Sequence, residues 1–291
     1  MSEKKVPAGQ RLQLAMEAEN PLAVVGAINA YSALQAKKAG FNALYLSGAG
    51  VAHASFGLPD LGMTTLDNVL EDTWRLTSIS DLPLIVDADT GFSDPAHASK
   101  SISTAGAAAM QIEDQVEDKR SSQRPGKVLV SVQEMQQRIE AATSGRTHKE
   151  FSIIAKTDAY TAEGLDAAIE RANGYIQAGA DMIFADALTD IDEYRKFAKS
   201  VEVPVIANIN EFGNTPLFNL GALGAAGVKM VLYPLTAFRA MNKAALDTYI
   251  ALRKRGTQDG LLDTLQSPDL LYETINYPYY ERSVDDNPAD K

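Results

Sequence analysis

Four short segments of this 291-residue chain end an apolar run with acidic, basic or amide side chains: Leu84-Ile85-Val86-Asp87-Ala88-Asp89, Met110-Gln111-Ile112-Glu113-Asp114, Ile153-Ile154-Ala155-Lys156-Thr157-Asp158 and Val205-Ile206-Ala207-Asn208-Ile209-Asn210. Carboxylates at the ends of buried strands are costly to desolvate, so they point to a metal ion or a polyanionic substrate. Asp87 and Asp89, two apart on one strand, are predicted to point to the same side, and Glu113 ends the neighbouring strand. Three hard oxygen donors with no His or Cys nearby suit Mg2+ or Mn2+, held partly through water and partly by substrate oxygens. The plainer alternative is that these carboxylates cap helices or pair with Lys156. Lys156, Asp158, Asp186, Asn208 and Asn210 end three further runs and supply one cation and several hydrogen-bonding groups. Ser47-Gly48-Ala49-Gly50 offers backbone N–H groups in a small-residue turn, a cradle for a carboxylate or phosphate. His53, His97 and His148 lie in unrelated segments and are expected on the surface or in loops; Trp74 and the Tyr-rich tail read as packing.

Those groups need a frame that brings strand ends together. Apolar runs of strand length recur at 22–28, 43–48, 83–89, 107–114, 151–158, 180–187, 204–209 and 228–234, separated by helix-like stretches such as 165–178, where Leu165, Ile169, Ala172 and Ile176 share a face. Strands that are apolar throughout and alternate with helices belong to a parallel sheet covered on both faces. Eight such units predict an α/β fold, a closed (β/α)8 TIM-type barrel, with the polar strand ends gathered at its C-terminal mouth. A doubly wound open sheet is the alternative, but no Gly-x-Gly-x-x-Gly follows the first strand. The whole of 1–291 reads as one barrel domain with a helical extension over about 237–291, which packs on a neighbouring subunit or folds back on its own barrel. Two long connections, 49–67 and 115–131, fall at the mouth, and the very polar 117–127 is expected to act as a mobile lid.

Composition narrows the partners. Hydrophobic residues make up 45% and charged residues 22%, ordinary for a protein with a sizeable core. A net charge of −11 without a Lys/Arg-dense block argues against nucleic acid and anionic membranes. The N-terminus has no apolar stretch of signal-peptide length, and nowhere do eighteen apolar residues run together, so a cytoplasmic protein is expected. The absence of cysteine excludes thiolate metal sites and a cysteine nucleophile or acid.

Seven motifs carry a resemblance: Ser47-Gly48-Ala49-Gly50-Val51, Gly57-Leu58-Pro59-Asp60-Leu61-Gly62, Val86-Asp87-Ala88-Asp89-Thr90-Gly91-Phe92, Ile112-Glu113-Asp114-Gln115, the run from Glu163 to Ala172, Asn208-Ile209-Asn210-Glu211-Phe212-Gly213 and the run from Leu232 to Asn242. Over nearly its whole length the chain resembles the 2-methylisocitrate lyases of the isocitrate lyase and phosphoenolpyruvate mutase superfamily. The resemblance implies a helix-swapped barrel, a homotetramer, and a Mg2+-dependent cleavage of 2-methylisocitrate to pyruvate and succinate in the methylcitrate cycle of propionate catabolism. It implies that Asp87 and Asp89 hold the metal with Glu113 nearby through water. It further implies that Tyr45, Ser47, Gly48, Ala49, Asp60, Asn208, Ile209, Asn210 and Arg239 line the substrate, a small di- or tricarboxylate.

Departures from the family pattern cluster at the chemistry. Where the family lid reads Lys-(Lys/Arg)-Cys-Gly-His, this chain has Lys119-Arg120-Ser121-Ser122-Gln123, so the catalytic positions of the lid fall on Lys119 and Ser121, with Ser122 beside the substrate. The family cysteine is a general acid, and an alcohol is a far poorer one than a thiol of pKa about 8.5. Lys156 stands for a family Arg and loses a planar two-point grip on a carboxylate. Asp186 stands for a Glu, and Pro268 for another substrate-binding Arg. Three readings follow: methylisocitrate-type lysis, slowed or altered; oxaloacetate decarboxylation or hydrolysis, or cleavage of a smaller malate derivative; or a binding paralogue without turnover.

Overall fold

A strand that is apolar on both faces is stable only where both faces are covered, and a closed barrel ringed by helices meets that demand. In the computed structural model, which describes residues 6–116 and 127–285, eight parallel strands close in sequence order. They are β1 Leu22–Gly26, β2 Leu44–Leu46, β3 Leu84–Asp87, β4 Ala109–Glu113, β5 Ser152–Thr157, β6 Met182–Ala185, β7 Val205–Asn208 and β8 Met230–Tyr233, with β8 paired back to β1. Each predicted run holds one strand, shorter than the run by one or two residues at each end, except that β1 begins with its run at Leu22. The trimmed residues are those whose backbone leaves the ladder to form the loops. At the closing seam Gly26 approaches Pro234 so closely that a Cβ would lie 1.7 Å from the Pro234 carbonyl oxygen, so no larger residue fits.

Strand alternation then sorts the side chains. Leu44 and Leu46 face outward onto the helices while Tyr45 faces the barrel axis, and the same period of two sends Ile153 and Ala155 outward and Ile154 inward. The inward positions form an apolar floor of Leu22, Val24, Ile85, Ile154, Ile206 and Met230. One step nearer the C-terminal end, the inward positions turn polar: Asp87 beside Gln111 and Glu113 beside Lys156, each pair in register.

The helix predicted over 165–178 is observed at Leu165–Gln177, but its most buried residues are Ala168, Arg171, Ala172 and Tyr175. Its inner stripe is thus rotated from the predicted one, because Arg171 and Tyr175 have partners inside. Arg171 donates to Glu163 at 2.7 Å and to the Val130 carbonyl at 3.0 Å, and the Tyr175 hydroxyl donates to Asp114 at 2.8 Å. Satisfied polar groups can be buried where unsatisfied ones cannot.

Beyond β8 the extension runs as the helix Thr236–Arg255, a short turn at Leu262–Thr264, and the helices Pro268–Thr274 and Tyr277–Asp285. It meets the helix Ala30–Lys38 through polar contacts, Lys38 to Glu273 at 2.9 Å and Tyr31 to Gln266 at 2.8 Å. Its apolar side chains stay exposed: the Thr236–Arg255 helix buries no residue, and Leu246, Tyr249, Leu262, Tyr272 and Tyr279 all face out. Trp74, read from sequence as packing, is 65% exposed. Among the described residues no helix is long and apolar enough to cross a membrane.

Candidate active site

The polar layer above the floor opens into a cavity of about 670 Å³ at the C-terminal mouth. Of the sequence candidates, Tyr45, Ser47, Ala49, Asp60, Asp87, Glu113, Lys156, Asn208, Asn210 and Arg239 line it. Gly48, Asp89, Asp186 and Ile209 stand just behind: Asp89 borders an adjoining groove with Thr90 and Phe92, Asp186 is buried below Asn208, and the Ile209 side chain joins the outer core. Lys119, Ser121 and Ser122 lie outside the described residues. The segment that holds them is flanked by a two-stranded bridge, in which Val116 N–H donates to the Val128 carbonyl at 3.0 Å and Val130 N–H to that of Asp114 at 2.9 Å.

Asp87 ends β3, and its carboxylate accepts from the backbone N–H of Gly48 at 3.0 Å, from that of Asp89 at 3.2 Å and from Gln111 Nε2 at 3.3 Å. Asp89 is not on the strand, so simple alternation does not aim it. A left-handed backbone, φ 50°, brings it round, a conformation that costs a non-glycine residue energy and that clusters at functional sites. Its oxygen comes within 2.8 Å, and an Asp87 oxygen within 3.3 Å, of where a Cβ on Gly48 would sit. Two carboxylates therefore converge on a space that only glycine leaves open. Replacing Gly48 with Ala should lower divalent-metal affinity about 10–100-fold by displacing both oxygens, the scale of a disturbed ligand support. Calorimetric titration with Mg2+ measures it, and unchanged affinity contradicts the account.

Glu113, the third predicted metal residue, is turned elsewhere. One oxygen accepts from Lys156 Nζ at 2.7 Å and the other from Gln115 Nε2 at 3.1 Å. Among the described residues no group of three acidic or imidazole side chains is gathered closely enough to enclose an ion. Two carboxylates completed by water and substrate oxygens suit Mg2+, which keeps several waters and needs few protein ligands. The donor set at Asp87 and Asp89 thus fits such an ion.

Lys156 is the centre of a buried charge network. Its ammonium also donates to Asp158 at 2.8 Å, while Lys127 bridges Asp158 and Asp186, the latter at 3.0 Å. Burial works against the Lys156 charge, but Asp158 and Glu113 more than offset it and hold its pKa well above that of an ordinary lysine. Burial likewise opposes the Asp158 charge, yet Lys156 and Lys127 pull its carboxyl well below the usual range. Lys156 is therefore a fixed cation already shared by two carboxylates. Asn208, which lines the cavity, donates to Asp186 at 3.3 Å, and its buried Oδ1 has no hydrogen-bond partner among the described residues.

Sequence reasoning missed three groups. Gln111 takes a hydrogen bond from Tyr45 at 2.6 Å and passes one to Asp87, and its place two residues before Glu113 on one strand could have revealed it. Burial, reinforced by the Asp87 charge, raises the Tyr45 phenol well above its usual pKa, so it keeps its proton. Lys127, at the end of the stretch expected to act as a mobile lid, has its side chain buried against Asp158 and Asp186. His53, expected to be a surface residue without a role, is exposed but lines this cavity.

A family model described as phosphoenolpyruvate phosphomutase matches residues 13–253. The chain is 53% identical over 281 residues to a 2-methylisocitrate lyase of Escherichia coli, covering 95% of each. Among solved structures, 2,3-dimethylmalate lyase superposes with a TM-score of 0.90 at 29% identity, covering 97% of this chain and 96% of that one. A phosphonopyruvate hydrolase solved with oxalate and Mg2+ superposes with a TM-score of 0.83 at 27% identity, covering 96% and 98%.

Proposed function

Because the chain belongs to the phosphoenolpyruvate phosphomutase family, we propose that its barrel mouth is a Mg2+-dependent lyase site that splits a carbon–carbon bond in 2-methylisocitrate, or a similar small hydroxy-carboxylate, to give pyruvate and succinate. The observation that carries the reading is the meeting of the Asp87 and Asp89 oxygens over Gly48. Those two residues hold the ion, with Glu113 reaching it through water. When bound, a divalent ion supplies Lewis-acid stabilisation of the negative charge on the hydroxyl and carboxylate oxygens of the future pyruvate. Mn2+ has the same preference for oxygen donors and substitutes for it.

The side chains divide the remaining work. The turn at Ser47, Gly48 and Ala49 lines the place of the inner carboxylate, its Gly48 N–H holding Asp87 in position. Tyr45, which keeps its proton, fixes Gln111 and through it the Asp87 carboxylate. Asp60, Asn210 and Arg239 stand around the outer fragment; Arg239, which pairs with Glu211 at 3.4 Å and lies over the Phe212 ring, supplies the cation there. Asn208 Oδ1 accepts from a substrate hydroxyl or a bound water. Lys156 sets the local potential, and Asp186 orients Asn208. Lys119, Ser121 and Ser122 contribute from the connecting segment.

A homotetramer is the assembly this reading takes, acting in the cytoplasm, and the exposed Leu and Tyr side chains of the C-terminal helices are its support. They would be covered by a neighbouring copy. The commitment of Lys156 to Glu113 and Asp158 favours one second reading, a substrate with fewer carboxylates such as a malate derivative or oxaloacetate. The test is pyruvate release by the purified full chain with Mg2+ from 2-methylisocitrate, 2,3-dimethylmalate and oxaloacetate in parallel. Release from 2-methylisocitrate that stops with EDTA and returns with Mg2+ is the expected result. Turnover of a smaller acid alone moves the assignment to the second reading, and no turnover of any overturns both.

A further inference from the structure

Cleavage leaves an electron pair on carbon, and something must protonate it. The chain has no cysteine, so no thiol can. Most of the described titratable groups of the cavity are already committed. Lys156 is a shared, permanent cation, Tyr45 spends its hydroxyl on Gln111, both Glu113 oxygens are engaged, and Asp87 belongs to the ion. A guanidinium such as that of Arg239 does not release its proton.

His53 differs in chemistry and in placement. It sits at the middle of a π-helical turn, Val51–Ser55, whose first two residues are buried and whose next three are exposed. Such turns shift the side-chain register and recur at functional sites. The turn is held in place: Val51 N–H donates to the Ser47 carbonyl at 2.9 Å, and the Ser55 hydroxyl donates to Asp72 at 2.7 Å. His53 thereby lines the same cavity as Asp60, Asp87 and Arg239, and it is exposed where Glu113 and Lys156 are buried. Imidazole is the side chain whose ordinary pKa lets it carry and release a proton near neutrality.

We propose that His53 is the proton donor to the carbon of the outward fragment, in a chain that has no thiol to do so; the inference rests on the lyase reading above. The substrate hydroxyl loses its proton to water as the carbon–carbon bond breaks. The bonding pair moves onto the outward carbon and into its carboxylate. The N–H bond of the imidazolium then breaks and its proton goes to that carbon, after which the neutral imidazole recovers a proton from water. No oxidant, reductant or further reactant is needed. The charges around His53 are Asp60 and Arg239 across the mouth, and the Asp72–Arg75 pair, 3.0 Å apart, behind the turn. Asp87, Glu113 and Lys156 lie deeper in the same cavity.

The experiment compares wild type, H53Q, H53A and S121A as full chains with Mg2+. In H53Q, kcat is expected to fall about 100-fold, a typical loss for a general acid, while pyruvate binding in the presence of Mg2+ stays within about twofold. The pH profile of kcat is expected to show an arm in wild type that is missing in H53Q. Added imidazole restores H53A saturably, which a merely structural role would not allow. H53Q with the wild-type rate, an unchanged pH arm, or an H53A loss that imidazole does not rescue overturns the inference. So does loss of rate in S121A alone, which assigns the proton to Ser121. Wild type inactive on every acid defeats the lyase reading itself, whereas an active wild type beside an equally active H53Q defeats the role of His53 only.

Discussion

Changing Asp87 to Ala should abolish Mg2+ binding and lower carbon–carbon cleavage on the order of 10³-fold, as loss of the principal stabiliser of developing charge does. On the reading proposed above, Asp87 is more than one of two metal ligands. Three donors, the N–H groups of Gly48 and Asp89 and the amide of Gln111, are aimed at its carboxylate. Its removal unties the cradle turn, the left-handed Asp89 and the Tyr45–Gln111 chain together. Asp87→Asn keeps the shape but not the charge, and should retain the fold while losing most of the metal affinity. Calorimetry with Mg2+ and pyruvate release on the same preparations decide the matter. An Asp87→Ala protein that still binds Mg2+ at wild-type affinity would show that the ion is held elsewhere.

Replacing Lys156 with Met is expected to cost about 3–5 kcal/mol of stability, because it strands buried carboxylates rather than merely removing a contact. Glu113 loses the Lys156 ammonium, and Asp158 keeps Lys127. The sign with pH follows from the shifts. The depressed Asp158 pKa adds stability that is present above the ordinary carboxylate value near 4 and lost as pH falls through the lower folded value. The raised Lys156 pKa adds stability present below about pH 10.4 and lost as pH climbs through the higher folded value. Wild type should thus keep the network's contribution across the neutral range. In the Met variant Glu113 can take up a proton on mild acidification, so the deficit should shrink from pH 7.5 to pH 5. Urea unfolding of both proteins at the two values measures this, and a deficit that is small or does not vary with pH contradicts the charge account.

How far the sequence disclosed this molecule varies with the physics involved. The barrel was legible because eight apolar runs alternating with helix-like stretches leave few other ways to cover both faces of a sheet. Asp87, Glu113 and Lys156 were legible as polar tips of such runs, since alternation fixes which way they face. Asp89 was named on the same ground, but it is aimed by a left-handed turn that no period of two describes. Lys127 was hidden by its polar neighbours: its burial depends on Asp158 and Asp186, which come from two other strands. His53 was hidden for the opposite reason, since a lone histidine after a glycine turn carries no periodic signal and only the π-helical turn brings it to the cavity. The stretch from Tyr272 to Tyr280, legible only as an aromatic tail, falls within the helices Pro268–Thr274 and Tyr277–Asp285, because so many tyrosines in a short span mask the helical period.

The apolar floor has a kinetic consequence. With Leu22, Ile85, Ile154 and Ile206 plugging the base, the barrel is a vessel with a single doorway. On the lyase reading proposed above, the two fragments depart in line: the piece at Asp87 waits behind the piece nearer Arg239, so departure order is written into the architecture before any chemistry begins.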